Sequence, residues 1–194
     1  QVFCFDPKTK KIQHLGDLTE ACGEKGLKAI PQNKSHVNFV EANGKLYFTT
    51  HIGIYSIVDG RETMGIPPAG YKPYPGGHFI DYNLRTGKFE DLAVNPNHDG
   101  IISMTMDSKR GRLYWLTWPS GHFIRYDLAK KELRDIGPIP GQLPDVPVYR
   151  ALCCSPIANL ADGSVYFTTV DGLILRYVYD KDTMEIIQGE DMKK

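Results

Sequence analysis

Histidine is the residue type in this chain best suited to chemistry, because imidazole titrates near neutral pH and also binds metal ions. His36 and His51 lie at the start and the end of a stretch that reads as a two-stranded hairpin. The two ends of an antiparallel hairpin meet, so we expect these side chains to be neighbours. The pair predicts an acid–base site or, with His78 or His98, a divalent metal site for Zn²⁺ or Mn²⁺.

A guanidinium and several aromatic side chains fall at related positions. Arg150 aligns with His36 when the chain is compared with itself, and Tyr149 precedes it. Arginine can clamp a carboxylate through two parallel hydrogen bonds. Together, the catalytic candidates would suit a lyase or hydrolase acting on an anionic sugar or similar polar metabolite; they are His36, His51, Tyr149 and Arg150. The candidates for lining the binding site are Trp118, Tyr71, Tyr74 and His122.

These side chains are positioned by a pattern that occurs several times along the chain. Residues 101–136 read as four short strands rich in aromatic and β-branched residues, separated by turns of Gly, Pro, Asp and Ser. The second strand, LYWLTW at 113–118, recurs as LYFTTH at 46–51 and VYFTTV at 165–170. The third strand, GHFIRY at 121–126, recurs as GHFIDY at 77–82 and GLILRY at 172–177.

Four antiparallel strands in a repeat of roughly 40–50 residues are typical of a β-propeller blade. A single sheet cannot bury both of its faces, so the blades are expected to stack. We predict an all-β fold with about three and a half blades in one domain or fragment, as a half blade in 1–18 and blades in 36–92, 101–136 and 149–187. Closed propellers have about 4–8 blades. We therefore expect a larger propeller, completed by further blades or by another chain.

These strand motifs resemble those of the β-propeller superfamily over nearly the whole chain. The patterns G-x-[LV]-[YW]-[FW] and [FI]-x-[RD]-Y-[DN] are closer to lactonase-like and streptogramin-lyase-like propellers than to WD repeats, because no Trp-Asp dipeptide closes a third strand. The resemblance implies a blade and no particular catalytic residue. Propellers of this style often act outside the cytoplasm, so it also implies an extracellular or periplasmic location.

The longest connection between predicted strands is residues 52–77, which is rich in Gly and Pro and carries three tyrosines. Loops of this length in a compact domain are usually functional or disordered. We expect either a flap over the axial end of the propeller, with aromatic side chains lining a pocket, or a solvent-exposed excursion or subunit contact. Five of the six histidines map to the same end: His36, His51, His78, His98 and His122. The repeated Gly-His-Phe favours a structural role, closing a turn, for His78 and His122.

Composition and motifs exclude several classes of function. Lys and Arg together number 23, as do Asp and Glu, so nucleic acid is not an expected partner. No run of 18 apolar residues predicts a membrane span. The sequence has no GxSxG, GxGxxG or P-loop motif. Cys4 and Cys22 could form a disulfide or remain buried thiols, and Cys153 and Cys154 are expected to be small buried side chains.

Three functions therefore stay open from the sequence. The first is the enzyme described above, with or without a divalent metal. The second is a non-catalytic propeller that binds a glycan or a protein through Trp118, Tyr71 and Tyr74, and the third is a structural subunit of a larger assembly. Fold alone does not decide between them.

Overall fold

The protein is described by a computed structural model covering residues 1–37, 39–140, 156–169 and 172–189. Its regular structure is almost entirely β-strand, arranged in three four-stranded antiparallel sheets and two two-stranded ones. This confirms the predicted all-β fold with about three and a half propeller blades.

Each sheet follows the chain order, so neighbouring strands are joined by simple hairpins. The half blade contains β1 (Val2–Asp6) and β2 (Lys11–Gly16), and helix α1 (Leu18–Ala21) follows it. In the first blade the strands are β3 (Val40–Ala42), β4 (Lys45–Thr49) and, after an inserted hairpin of β5 (Tyr55–Val58) and β6 (Arg61–Met64), β7 (His78–Asn83) and β8 (Lys88–Val94). The second blade contains β9 (Gly100–Asp107), β10 (Arg112–Trp118), β11 (His122–Asp127) and β12 (Glu132–Pro138). The third contains β13 (Ile157–Ala158), β14 (Val165–Thr168), β15 (Leu173–Val178) and β16 (Thr183–Gly189).

The first blade departs from the sequence prediction in two places. Its first strand begins at Val40 rather than at His36, which lies in the link before the strand. The long connection over 52–77 is partly ordered as the β5–β6 hairpin. A single helical turn, α1, follows the half blade, and Asp17 caps it by accepting a hydrogen bond from the Glu20 N–H.

Turns between third and fourth strands are closed by the same chemistry in three sheets. In each, an Asp or Asn side chain accepts hydrogen bonds from backbone N–H groups two and three residues later, as Asp6, Asn83 and Asp127 do. The residue four positions after it has a positive φ, which the turn requires: Lys10, Gly87 and Lys131. These local signals set the register of each outer hairpin.

The core consists of layers between blades that stack face to face. Tyr47 and Phe79 of the first blade pack against Trp115, Ile124 and Tyr126 of the second. The next layer repeats this arrangement, with second-blade residues Tyr114 and Phe123 against third-blade residues Phe167, Leu175 and Tyr177. Burying these large rings is the main favourable term, since truncating one such ring costs about 3–5 kcal/mol. The stacking places the starts of the third strands and the ends of the second strands at one common end.

Candidate functional site

The structure brings His36 and His51 together at that common end. Their rings meet edge to face with centroids 4.7 Å apart. His51 is held by its backbone N–H, which donates to the Lys34 carbonyl at 2.9 Å, so the link before the first blade runs alongside the end of β4. We call Lys34, His36, His51, Tyr55 and Trp118 the rim cluster.

His51 is the buried centre of the rim cluster, with 2% of its surface exposed. Its ring packs against those of Trp118 and Tyr55, at centroid distances of 5.6 and 5.9 Å. Burial lowers the pKa of His51 to about 3, and the nearby His36 and Lys34 add to the effect. At neutral pH this imidazole is therefore uncharged, and among the described residues its Nδ1 has no hydrogen-bond partner.

Gly100 is the residue that makes room for the His51 ring. A Cβ atom at position 100 would lie 1.7 Å from Nδ1 of His51, which no side chain can tolerate. Since Gly100 opens the innermost strand of the second blade, the imidazole is wedged between two blades. Sequence reasoning did not identify this glycine, because only the contact across blades gives it meaning.

Lys34 supplies positive charge to the rim cluster. Its Nζ lies 3.9 Å above the centroid of the Tyr55 ring, which is a cation–π distance. No ion-pair partner for Lys34 occurs in the described part of the chain. Lys34 is half-buried and His36 is exposed, so both can reach a ligand from solvent. The sequence showed Lys34 only as one of several lysines in the link, and the contact with Tyr55 distinguishes it.

The other aromatic candidates have different environments. Trp118 of the rim cluster is buried with Tyr74, Ile30 and Ile52 in a small core, so this core supports the rim cluster. The Tyr74 hydroxyl donates to the side chain of buried Gln32 at 3.4 Å, and burial raises the pKa of Tyr74. Tyr71 is exposed and lines a separate cavity of about 580 Å³ with Leu27, Ile54, Ile66 and others.

His78 and His122 bridge strands inside their own blades. Their Nδ1 atoms lie 2.8 Å from the carboxylates of Asp91 and Asp135, in each case across a β-bulge between the third and fourth strands. In the half blade, a similar bulge places Nε2 of His14 2.5 Å from Oε1 of Gln1. The third blade has the apolar residues Leu173 and Ile186 at the equivalent positions. The repeated Gly-His-Phe thus has a structural role, but the histidine joins two strands rather than closing a turn.

His78 is held in a buried group of acidic residues. Its Nε2 is 3.6 Å from the Glu24 carboxylate, and buried Cys22 lies alongside. Burial by itself lowers the pKa of His78, but Asp91, Cys22 and Glu24 outweigh it and raise the pKa to about 11. His78 therefore carries a charge that its acidic neighbours neutralise, and it does not join His36 and His51. Among the described residues no three His, Cys, Asp or Glu side chains are placed to hold a metal ion.

A buried hydrogen-bond network fixes the loop that carries Trp118. The Asp99 carboxylate accepts hydrogen bonds from the Thr117 hydroxyl at 2.8 Å and the Ser120 N–H at 2.9 Å. Thr117 in turn accepts from the His122 N–H at 2.9 Å, and Thr50 accepts from the His78 N–H in the same way. The second-strand threonines thus tie the end of each second strand to the start of the third strand in the same blade.

His98 is exposed, and its Nδ1 lies 3.0 Å from the Pro75 carbonyl oxygen.

Some predicted residues lie outside the described part of the chain. These are Tyr149, Arg150, Cys153 and Cys154. Cys4 and Cys22 are free thiols, the first exposed and the second buried, so the structure has no disulfide between them. In the described residues, no helix has the length and apolar character needed to cross a membrane.

Comparisons with known proteins identify the fold. The extracellular domain of the BT4673 protein from B. thetaiotaomicron matches with a TM-score of 0.57 and 15% identity, over 99% of this chain and 20% of that one. An auxiliary nutrient binding protein from Bacteroides thetaiotaomicron VPI-5482 matches with a TM-score of 0.54 and 14% identity, over 99% of this chain and 42% of that one. A luciferin-regenerating enzyme matches with a TM-score of 0.52 and 11% identity, over 92% of this chain and 51% of that one.

At these identities the likeness shows a β-propeller-like fold alone. The chain spans about a fifth to about half of the length of these proteins. No protein-family model and no curated protein matches the sequence. The closer resemblance to lactonase-like and streptogramin-lyase-like blades therefore stays a prediction.

Proposed function

We propose that this chain is part of an extracytoplasmic β-propeller that binds a small anionic ligand, such as a sugar acid, without changing it chemically. The observation that carries the proposal is Lys34, a cation without an ion-pair partner among the described residues, set on the ring of Tyr55 beside the exposed His36. An ammonium and an imidazole in one cluster suit a carboxylate, because hydrogen bonds to ionised groups are the stronger ones.

Aromatic surroundings strengthen this recognition. Tyr55, His51 and Trp118 form a mostly apolar base under the two polar groups, and a low-dielectric base screens their charges less than bulk water does. Few polar groups above an apolar floor are typical of small-molecule sites. The proposal extends to a location outside the cytoplasm and to completion of the propeller by further blades or another chain. The neighbours described as an extracellular domain and a nutrient binding protein are in keeping with it, although they share only the fold.

The state of His51 favours binding over catalysis. An acid–base catalyst works best with a pKa near the operating pH, whereas the pKa of His51 is about 3 and its ring is buried against Gly100. His36 alone would then have to act with Tyr149 and Arg150 in a lyase or hydrolase. The enzyme hypothesis predicts a new product when an acidic oligosaccharide is incubated with the protein, and the binding hypothesis predicts recovery of the intact sugar.

The test compares a neutral sugar with its acid. We expect glucuronate or galacturonate to bind more tightly than glucose or galactose by isothermal titration calorimetry, and the difference to shrink as salt screens the charge. Lys34→Gln should weaken binding of the acid by about tenfold, which corresponds to about 1.4 kcal/mol. Lys109→Gln, in an exposed turn between the first two strands of the second blade, is the matched control and should change nothing. Equal affinity for the neutral and acidic sugars would refute the proposal.

A further inference from the structure

A cavity of about 580 Å³ lies between the link before the first blade and the insertion over 52–77. Its lining residues come from 17–31 of the link and from 54–71 of the insertion, and we call it the link cavity. The two segments are tied together by the Lys72 N–H, which donates to the Lys28 carbonyl at 2.7 Å. Small-molecule sites have volumes of about 300–1,000 Å³, so the link cavity has the size of one.

The wall of the link cavity is mainly apolar, and much of it is open to solvent. Leu27, Ile66 and Tyr71 of this wall are 47%, 82% and 42% exposed, whereas Ile30 is buried. Removing such side chains from water is favourable in proportion to the apolar area that a ligand covers. The wall therefore favours a ligand with an apolar body.

Glu24 is a nearly buried carboxylate in this wall. Its side chain is 10% exposed, and its Oε2 atom is buried without a hydrogen-bond partner among the described residues. Its Oε1 atom lies 3.6 Å from Nε2 of His78, which is beyond hydrogen-bond distance. Removing a carboxylate oxygen from water without giving it a donor is unfavourable. A ligand that brings a donor to Glu24 removes this cost.

The charges around Glu24 do not balance. The imidazolium of His78 lies between two carboxylates, those of Glu24 and Asp91. Lys25 is the basic residue of the cavity wall, and its Nζ lies 2.6 Å from the Glu20 carboxylate, which matches its charge. One negative charge therefore remains beside the link cavity, and it attracts a cation and repels an anion.

We propose that the link cavity binds a primary amine with an apolar body, whose ammonium group donates to the Glu24 carboxylate. An ammonium carries three N–H donors, and hydrogen bonds between ionised partners are the stronger ones. The carboxylate of Asp17, in the same wall, adds to the attraction. The apolar body covers Leu27, Ile66 and Tyr71. The link cavity thus selects the charge opposite to that selected by the rim cluster, so the two sites take different ligands.

Three ligands with the same body test this selection of charge. Hexylamine is a cation at neutral pH, hexan-1-ol is neutral and hexanoate is an anion. We expect hexylamine to bind at least about tenfold more tightly than hexan-1-ol, as for a hydrogen bond to a charged group, and hexanoate to bind least. Nuclear magnetic resonance titration gives the affinities. The methyl signals of Leu27, Ile54 and Ile66 should shift on binding, because these residues line the cavity.

Two variants separate the roles of the carboxylate and the apolar wall. Glu24→Gln keeps the size of the side chain and should lower the affinity for hexylamine to that for hexan-1-ol. Ile66→Ser should weaken binding of both ligands severalfold, because the wall loses apolar area. Leu84→Ser is the matched control for Ile66→Ser and should change neither affinity, since Leu84 is 51% exposed but lies outside the link cavity.

Measurements on the wild type keep the test decisive if Glu24→Gln does not fold. Added salt should narrow the difference between the amine and the alcohol, because salt screens the charge. The proposal is overturned by equal affinity for the amine and the alcohol, by no saturable binding of hexylamine, or by shifts at the rim cluster in place of the cavity methyl groups. An undiminished preference for the amine in folded Glu24→Gln also overturns it. Lys34→Gln should leave hexylamine binding intact, so this proposal and the proposed ligand site fail separately.

Discussion

His51 and His78 lie at adjacent strand ends of the first blade, and their surroundings give them opposite charge states. The Thr50 N–H, next to His51, donates to the His78 carbonyl at 2.9 Å. His51 is surrounded by aromatic rings and positive neighbours, and its pKa falls to about 3. His78 meets the carboxylates of Asp91 and Glu24, and its pKa rises to about 11.

The difference teaches where the repeat ends and the individual site begins. The pairing of His78 with Asp91 belongs to the repeat, because His122 pairs with Asp135 at the equivalent position of the second blade. Glu24 and Lys34, by contrast, come from the link before the first blade, and the link before the second blade, residues 95–99, contains neither Glu nor Lys. Residues of the repeat hold strands together, and residues of the link add to the electrostatics of each imidazole: His36 and Lys34 help to lower the pKa of His51, and Glu24 helps to raise that of His78.

The largest expected effect comes from removing His78. His78→Ala leaves Glu24 and Asp91 without the cation between them, and breaking a buried ion pair in this way costs about 3–5 kcal/mol. Urea denaturation measures the loss. His14→Ala, in the exposed pair with Gln1, is the control and should cost about 0.5 kcal/mol or less.

A double variant sharpens this prediction. His78→Leu with Asp91→Ile copies the apolar pair Leu173 and Ile186 of the third blade. It should recover part of the stability lost in His78→Leu alone, because the carboxylate on the facing strand is gone. If the double variant is less stable than both single ones, the pair does not act as an interchangeable strand bridge.

Gly100→Ala should be the next most damaging change. The new methyl group overlaps His51, and forcing a packed core to accommodate it costs about 1–3 kcal/mol. His51→Ala removes the overlapping ring, so the double variant should lose less stability than the sum of the two single variants. Strict additivity in this double-mutant cycle would show that the glycine and the imidazole do not constrain one another.

The two histidines should give pH dependences of opposite sign. The pKa of His51 in the folded protein is below its unfolded value of about 6.5. Its contribution to the free energy of unfolding is therefore fully present above about pH 6.5 and is lost as the pH falls towards 3. The folded pKa of His78 is above that value, so its contribution is complete below about pH 6.5 and is lost as the pH rises towards 11. Each slope is about 1.4 kcal/mol per pH unit at most, the value for one proton.

Nuclear magnetic resonance separates these two titrations from those of other groups. The His51 ring signals should stay constant between pH 5 and 8 and report the neutral form, while those of His78 report the charged form over the same range. Comparing the wild type with His51→Gln isolates the part of the pH dependence of the free energy of unfolding, below about pH 6.5, that His51 causes. Midpoints near 6.5 for both rings would remove the contrast between the two environments.

The sequence predicted the fold through its local signals. Strand period, Gly-containing turns and the Leu-Tyr-Phe pattern are repeated, and repetition identifies blades without coordinates. It also predicted that His36 and His51 meet, although the contact is made by the link, where Lys34 pairs with His51, and not by the hairpin that the prediction assumed. It could not predict the partners of Lys34, Gly100 or Glu24, since these contacts join the link or the next blade to the first one. Such contacts have no sequence period, and they decide the charges at the candidate site.

The smallest effect on stability, and the sharpest one on function, is expected from His36. His36 is exposed and its ring meets that of buried His51 edge to face, so His36→Ala should change the free energy of unfolding less than the substitutions at His78 and Gly100 do. The same substitution should weaken binding of a sugar acid severalfold, because a donor to the carboxylate is lost. His122→Ala is the matched control, since it removes a partly exposed imidazole whose partner among the described residues is Asp135 of its own blade. Weakened binding in His122→Ala and unchanged binding in His36→Ala would move the ligand site away from the rim cluster and towards the outer strands.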